Sequence, residues 1–285
     1  MSISHHLLPL FLLLLVFSTF TSPSSSSTDS FIFGGCSQLK YLPGTAYESN
    51  VNSVLTSLVN SAVFSNYNNF TVQGATQQDT VSGLFQCRGD LVSTDCSRCV
   101  TRAVSQLGTL CLDACGGALQ LEGCFVKYDN ASFLGMEDKT EVLKKCGPSI
   151  GLNSGSLNGR DAVLSSLGAL YGPFRITSSG DVQGVAQCVG DLSASECQDC
   201  LSYAIQRLRM ECSGGAWGEM YLAKCYARYS ERGNHSPGGN DDSNRNDEEI
   251  EKTLAILIGL IAGVALIIVF ISFFSKVCGK QKGGK

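Results

Sequence analysis

Apolar residues fall at helical spacing in two stretches of the chain. Between Asn50 and Phe64, Val51, Val54, Leu55, Leu58 and Val59 recur at i, i+3, i+4, i+7 and i+8, which predicts an amphipathic helix. From about Asp161 to Tyr171, Ala162, Leu164, Leu167 and Leu170 predict a second. A further helix follows each, carried by Val100, Ala103, Val104 and Leu107, then by Leu201, Ala204, Ile205 and Leu208. Ser93-Thr94-Asp95 and Ser193-Ala194-Ser195-Glu196 supply cap chemistry for these later helices. Short strands are predicted over Phe70–Gln73, Ser82–Cys87 and Leu119–Tyr128, and again over Phe174–Thr177, Gly184–Cys188 and Met220–Tyr229. Each half is then an α+β unit, an antiparallel sheet with two helices against it.

Two apolar runs break this rhythm. Leu7 to Phe17 has the length of a signal-peptide h-region, and the small polar residues after it supply cleavage positions, so 1–27 reads as a secretory signal peptide. Residues 253–274 carry no charge. At about 1.5 Å per residue they reach roughly 33 Å, enough for one transmembrane helix. Lys276, Lys280, Lys282 and Lys285 follow it, while Asp247, Glu248, Glu249 and Glu251 precede it. The positive side stays cytoplasmic, which predicts a single-pass type I protein with a tail at 275–285 too short for a folded domain.

The middle is a repeat. Cys87, Cys96, Cys99, Cys111 and Cys124 recur as Cys188, Cys197, Cys200, Cys212 and Cys225, each displaced by 101 positions. Their flanks agree as well, LFQCRGDLVSTDCSRCV against VAQCVGDLSASECQDCL. Two copies of one domain are therefore predicted, over 29–133 and 138–231. The polar, acidic stretch 232–252 lacks the apolar residues to fold and reads as a disordered linker.

Composition narrows the chemistry. The fourteen cysteines are too many for routine cytosolic use. Formal net charge is −4, and residues 29–231 hold 14 Lys/Arg against 19 Asp/Glu, which disfavours nucleic acid as a partner. The three histidines are His5, His6 and His235, so neither repeat contains one. That disfavours Ser-His-Asp and Cys-His catalysis and histidine-bearing zinc sites, and no catalytic residue, cofactor or metal is assigned. The pairs Cys96/Cys99 and Cys197/Cys200 admit three readings: zinc thiolates, thioredoxin-like redox chemistry or structural disulfides. The secretory route favours disulfides. Six cysteines per copy allow fifteen connectivities, and spacing alone does not choose among them.

The pattern C-x8-C-x2-C, with one cysteine before and two after, resembles the ginkbilobin-type cysteine-rich domain of plants. Two such domains, one span and a tiny tail resemble the plasmodesmata-located proteins, over nearly the whole mature chain. The resemblance implies the pairs Cys87–Cys96, Cys99–Cys124 and Cys36–Cys111, and in the second copy Cys188–Cys197, Cys200–Cys225 and Cys146–Cys212. Cys115 is left over as a free buried thiol, since its counterpart is Ala216. A lectin relative holds mannose through an Asn, an Arg and a Glu. The matching positions here are Ser37, Ala118 and Asp129, then Gly147, Glu219 and Ser230, so that site reads as lost.

Asn69, Asn130 and Asn234 head N-glycosylation sequons. Trp217, Tyr221, Tyr226 and Tyr229 have the chemistry to stack on a sugar, but strand alternation points to core or interface packing. Gly259 and Gly263 form a GxxxG motif in the span, and Cys278 beside the membrane is a palmitoylation candidate. The resemblance implies a non-enzymatic protein of the plasma membrane at plasmodesmata, its ectodomain facing the wall, that modulates cell-to-cell trafficking through callose deposition. The partners it implies are viral movement proteins, the callose synthase complex and further copies of the same family. The competing reading is a cell-surface glycan-binding or defence receptor acting with a co-receptor, and the third is a thiol oxidoreductase.

Overall fold

The computed structural model describes residues 27–149 and 154–232. The expectations for the signal peptide through residue 26, the linker from residue 233, the span, the tail, Asn234, Gly259, Gly263 and Cys278 lie outside the described residues. Among the described residues no helix is long and apolar enough to cross a membrane.

The first copy runs β1 (Phe31–Cys36), α1 (Ala46–Ser61), β2 (Tyr67–Val72), β3 (Val81–Cys87), α2 (Ser93–Leu110), β4 (Gly116–Leu121) and β5 (Cys124–Asp129). The second runs β6 (Glu141–Cys146), α3 (Ser154–Ala169), β7 (Phe174–Ser179), β8 (Val182–Cys188), α4 (Ala194–Glu211), β9 (Trp217–Leu222) and β10 (Cys225–Glu231). The sheets are ordered β1-β4-β5-β3-β2 and β6-β9-β10-β8-β7, with every pairing antiparallel. Each carries its two helices on one face, so the α+β architecture stands.

The helices form where the apolar stripe demands burial. The α1 stripe Val51, Val54, Leu55 and Leu58 meets Phe85 and Val126 of the sheet, and in the second core Leu164 and Leu167 meet Ala186 and Ala227. Both α2 and α4 bury a cysteine pair on the same stripe as Ala103 and Leu107, or Ala204 and Leu208. The α4 start is a full capping box between Ser193 and Glu196. The expected cap at Ser93 is corrected. The equivalent N-cap position holds Val92, which has no side chain to cap with, and Ser93 already lies inside the helix. Asp95 in that first turn still faces the positive end of the helix dipole.

Two strand expectations are also corrected. Leu119–Tyr128 is a hairpin, β4 turning at Glu122-Gly123 into β5, and Met220–Tyr229 turns at Ala223-Lys224 into β10. At the first turn Glu122 and Gly123 donate their amides to Ser30 and Thr28 rather than to a sheet ladder. Strands β1 and β6 were not foreseen. Both are sheet edges, and the glycines of FIFGGC and the charges of EVLKKC blur the alternation that marks a strand.

Six disulfides staple the two cores: Cys36–Cys111, Cys87–Cys96, Cys99–Cys124, Cys146–Cys212, Cys188–Cys197 and Cys200–Cys225. These are the pairs the resemblance implied. Each tethers a strand end to α2 or α4. The two cysteines of each CxxC motif bond to different strands, so neither motif closes on itself as a redox dithiol would. Cys115 is free and buried, and burial pushes its thiol pKa up.

Candidate functional site

Side chains alternate across each strand, so half of every strand points away from the helices. On the first sheet that outer face carries Phe33, Ala118, Gln120, Leu84, Gln86, Phe125, Lys127 and Asp129. The half of it nearest Cys87 and Cys124 is covered by the second copy. There Leu84, Phe125, Phe133 and Val189 form a buried cluster of their own. Phe33 meets Tyr221 edge-on at 5.7 Å, and Tyr221 stacks on Tyr226 at 5.1 Å.

This seam follows the repeat. Gln86 and Gln187 are equivalent residues, and both reach into the partner's turn. Gln187 Nε2 donates to the Cys87 carbonyl at 2.9 Å, while Gln86 Oε1 accepts from the Gly190 amide at 2.9 Å. Gly89 lies under Phe174 and the equivalent Gly190 under Tyr67. A Cβ would approach those rings to 2.4 and 2.7 Å, so only glycine admits both contacts. Charge then breaks the symmetry. Glu122 accepts from Arg88 at 3.0 Å and from Arg228 at 2.7 Å, bridging the two sheets. Lys224 pairs with Asp191 and donates to the Phe133 carbonyl at 2.8 Å, which pins the connecting segment. Burial opposes the Arg228 charge, but Tyr221 and Glu122 hold its pKa well above the usual value. Burial pushes the Tyr226 phenol up to about 12.

The uncovered half of the first outer face is a groove of about 370 Å³. Gly35, Gly116 and Gly117 floor it, Phe33 and Phe125 wall it, and Ser37, Ala118, Lys127 and Asp129 open into it. The three positions matched to the lectin site in this copy are thus brought together. The arginine is absent, as expected, but Lys127 is the direct cross-strand partner of Ala118. A cation therefore stands on the same face, one strand over. Sequence reasoning missed it because the signal, strand register, exists only once β4 and β5 are paired. The Lys127 ammonium lies 4.5 Å over the Phe133 ring. Burial pulls its pKa down, and the Asp129 charge opposes that shift.

In the second copy the equivalent groove is filled. Trp217 takes the place of Gly116 and packs on Gly147, where a Cβ would lie 2.5 Å from the indole nitrogen. Glu219 stands for Ala118 and is buried, and Arg228 stands for Lys127 but is committed to Glu122. Trp217 is 8% exposed, and Tyr221 and Tyr229 are buried, so this aromatic set is packing rather than a sugar platform. Tyr229 points to the helix side, donating to the Cys212 carbonyl at 2.8 Å. Asn130 and Asn69 are not buried: Asn69 lies on β2, one of the two edge strands of the first sheet, and Asn130 just beyond β5.

The groove offers a donor cation, an acceptor carboxylate and two aromatic walls. Such a set recognises a small polyhydroxylated or zwitterionic group. It offers no nucleophile paired with a base.

Comparison with known proteins agrees with the duplication. A family model described as Salt stress response/antifungal matches residues 35–131 and 153–232. Plasmodesmata-located protein 6 of Arabidopsis thaliana is 62% identical, covering 92% of this chain and 93% of its own. Plasmodesmata-located protein 7 of the same plant is 58% identical over 91% of this chain and 87% of its own. Among solved structures, the tandem DUF26 ectodomain of the Arabidopsis cysteine-rich receptor-like protein PDLP5 superposes with a TM-score of 0.68 at 48% identity. It covers 70% of this chain and 98% of that one.

Proposed function

Because the chain belongs to the plasmodesmata-located protein family, we propose that it is a non-enzymatic, membrane-anchored protein of plasmodesmata that restricts or licenses cell-to-cell movement. In this reading 1–27 directs secretion, 253–274 spans the plasma membrane, the two domains face the wall, and 275–285 is cytoplasmic. The seam carries the proposal. Two stapled domains held by Gln86, Gln187, Glu122 and Lys224 present one rigid face, and only one of two equivalent grooves is open. A protein built that way acts by being held in place and engaging something. Callose-synthesising machinery and viral movement proteins are the partner classes this reading entails. Glycans on Asn69, Asn130 and Asn234 and an acyl chain on Cys278 would reinforce wall-side exposure and anchoring.

The deciding experiment compares the full chain with a version ending at Lys252, both carrying a fluorescent reporter, in plant epidermis. The full chain is expected at punctate wall junctions with reduced dye movement. The shortened chain is expected in the wall space with no effect on movement. Equal restriction by the shortened chain would refute the tethered mechanism.

The open groove favours a second reading, a glycan-binding surface receptor acting with a co-receptor. Its test is titration of the ectodomain with neutral and acidic wall oligosaccharides. Binding abolished by Lys127→Met and by Asp129→Asn, with Glu219→Gln inert, would support it.

A further inference from the structure

The duplication supplies an internal control for surface chemistry. In the second copy, the seam between the edge strand β6 and the end of α4 is closed by charge. Arg207 pairs with Glu141 and Glu211, and Lys144 reaches Glu211 at 2.6 Å. Strand register and the repeat place Phe31, Gly34, Gln106 and Leu110 at the positions of Glu141, Lys144, Arg207 and Glu211. None of these four positions is charged in the first copy, and the cation of this seam is Lys40, whose ammonium is spent on the Leu112 carbonyl. Leu112 stands where the second copy has Ser213, and Leu39 accepts the Cys115 amide beside it. Phe31, Leu39, Leu110 and Leu112 are between 49 and 67% exposed, with Phe31 and Leu110 both lying beside Gly34 of β1.

Beside this apolar strip runs the free edge of β1, FIFGGC, with no charged residue along it. Soluble proteins ordinarily blunt such an edge with charge, as β6 does with Glu141, Lys144 and Lys145. An unblunted edge is self-complementary, because antiparallel pairing of two β1 strands about a two-fold axis satisfies both rows of backbone groups. The area fits a second copy. At about 200 Å² per large apolar side chain, the four expose roughly 450–500 Å² per copy. A two-fold contact would then bury about 1,000 Å², the lower bound for a specific interface. The two sequons among the described residues leave this side bare, since Asn69 lies on the opposite edge strand β2 and Asn130 reaches toward Gln78 between β2 and β3.

We propose that two copies of this chain pair through β1 and the Phe31/Leu39/Leu110/Leu112 strip of the first domain, forming an isologous dimer. Anchoring in one membrane would raise the local concentration of copies, and for that step alone the proposal rests on the membrane reading above. The contact itself does not depend on where the protein resides.

The test uses the full chain, fluorescently labelled, in phosphatidylcholine vesicles, with single-molecule photobleaching counting copies. Gly259→Leu and Gly263→Leu are included throughout so that the apolar segment contributes no pairing of its own. Dimers are expected at high surface density. Leu110→Lys should weaken pairing at least about tenfold, and Met210→Lys, on the second copy, should leave it unchanged. Mixing Leu110→Lys with Leu110→Glu chains should restore pairing, because the isologous contact then brings opposite charges together. These positions are exposed, and unchanged circular dichroism will show that the variants fold. A monomer at every density would overturn the proposal. So would a dimer indifferent to Leu110→Lys, or a charge mixture that fails to recover.

Discussion

Replacing Lys224 by methionine isolates the ion pair that locks the connecting segment into the seam. The Lys224 and Asp191 side chains are 3% and 4% exposed. Asp191 Oδ2 takes the ammonium and the Gly135 amide at 3.0 Å, while Oδ1 has no hydrogen-bond partner among the described residues. Lys224 also donates to Phe133 and lies 5.4 Å from its ring. Methionine keeps the length and the contact with Phe133 but strands a buried carboxylate. Breaking one side of a buried pair costs about 3–5 kcal/mol. For a protein of this size that is a fall in Tm of roughly 6–20 °C. Lys224→Met with Asp191→Leu removes both charges and should return close to the parent, because a packed apolar pair replaces the ions at little net loss. The assay is guanidinium and thermal unfolding of oxidised residues 27–232, followed by circular dichroism. A single variant within about 1 kcal/mol of the parent would refute the reasoning, as would a double variant no better than the single.

Three further outcomes follow from the same geometry. Arg207 and Lys144 hold Glu211 at about 2 against an ordinary 4.5. Its contribution is therefore present above pH 4.5 and lost as pH falls toward 2, and Glu211→Gln should flatten urea midpoints across that window; an unchanged profile would contradict this. Removing Cys36–Cys111, which closes a 75-residue separation, should cost about 4–5 kcal/mol. Removing Cys87–Cys96, which spans 9, should cost about 2.5–3, and equal losses in chemical denaturation would refute the loop-entropy account. Cys115 should be silent to a thiol reagent in folded residues 27–232 and titrate as one thiol per chain after unfolding without reductant; rapid reaction in the folded state would show that it is not buried.

The duplication, the helices and the disulfide-rich character were legible in the amino-acid order because each is a local or periodic signal. Val51, Val54, Leu55 and Leu58 announce a helix whatever they pack against, and cysteines 101 positions apart announce a repeat. Residue pattern alone left fifteen connectivities open, and resemblance to known domains selected the one the structure forms. Edge strands β1 and β6 were illegible, since neither buries one face along its length well enough to impose alternation. The hairpins were read as single strands because their two-residue turns interrupt an otherwise continuous apolar run. What the groove contains was decided only in three dimensions. Lys127 lies nine residues from Ala118 in the chain, and only the β4–β5 register sets it opposite. Two domains of one fold could each have kept an open groove. Trp217 and Arg228 closed one and Gly116 left the other free, because the second sheet turns its arginine toward Glu122 to make the seam. Sequence gave each domain its means of folding, whereas contact between the domains decided which surface stays free to bind.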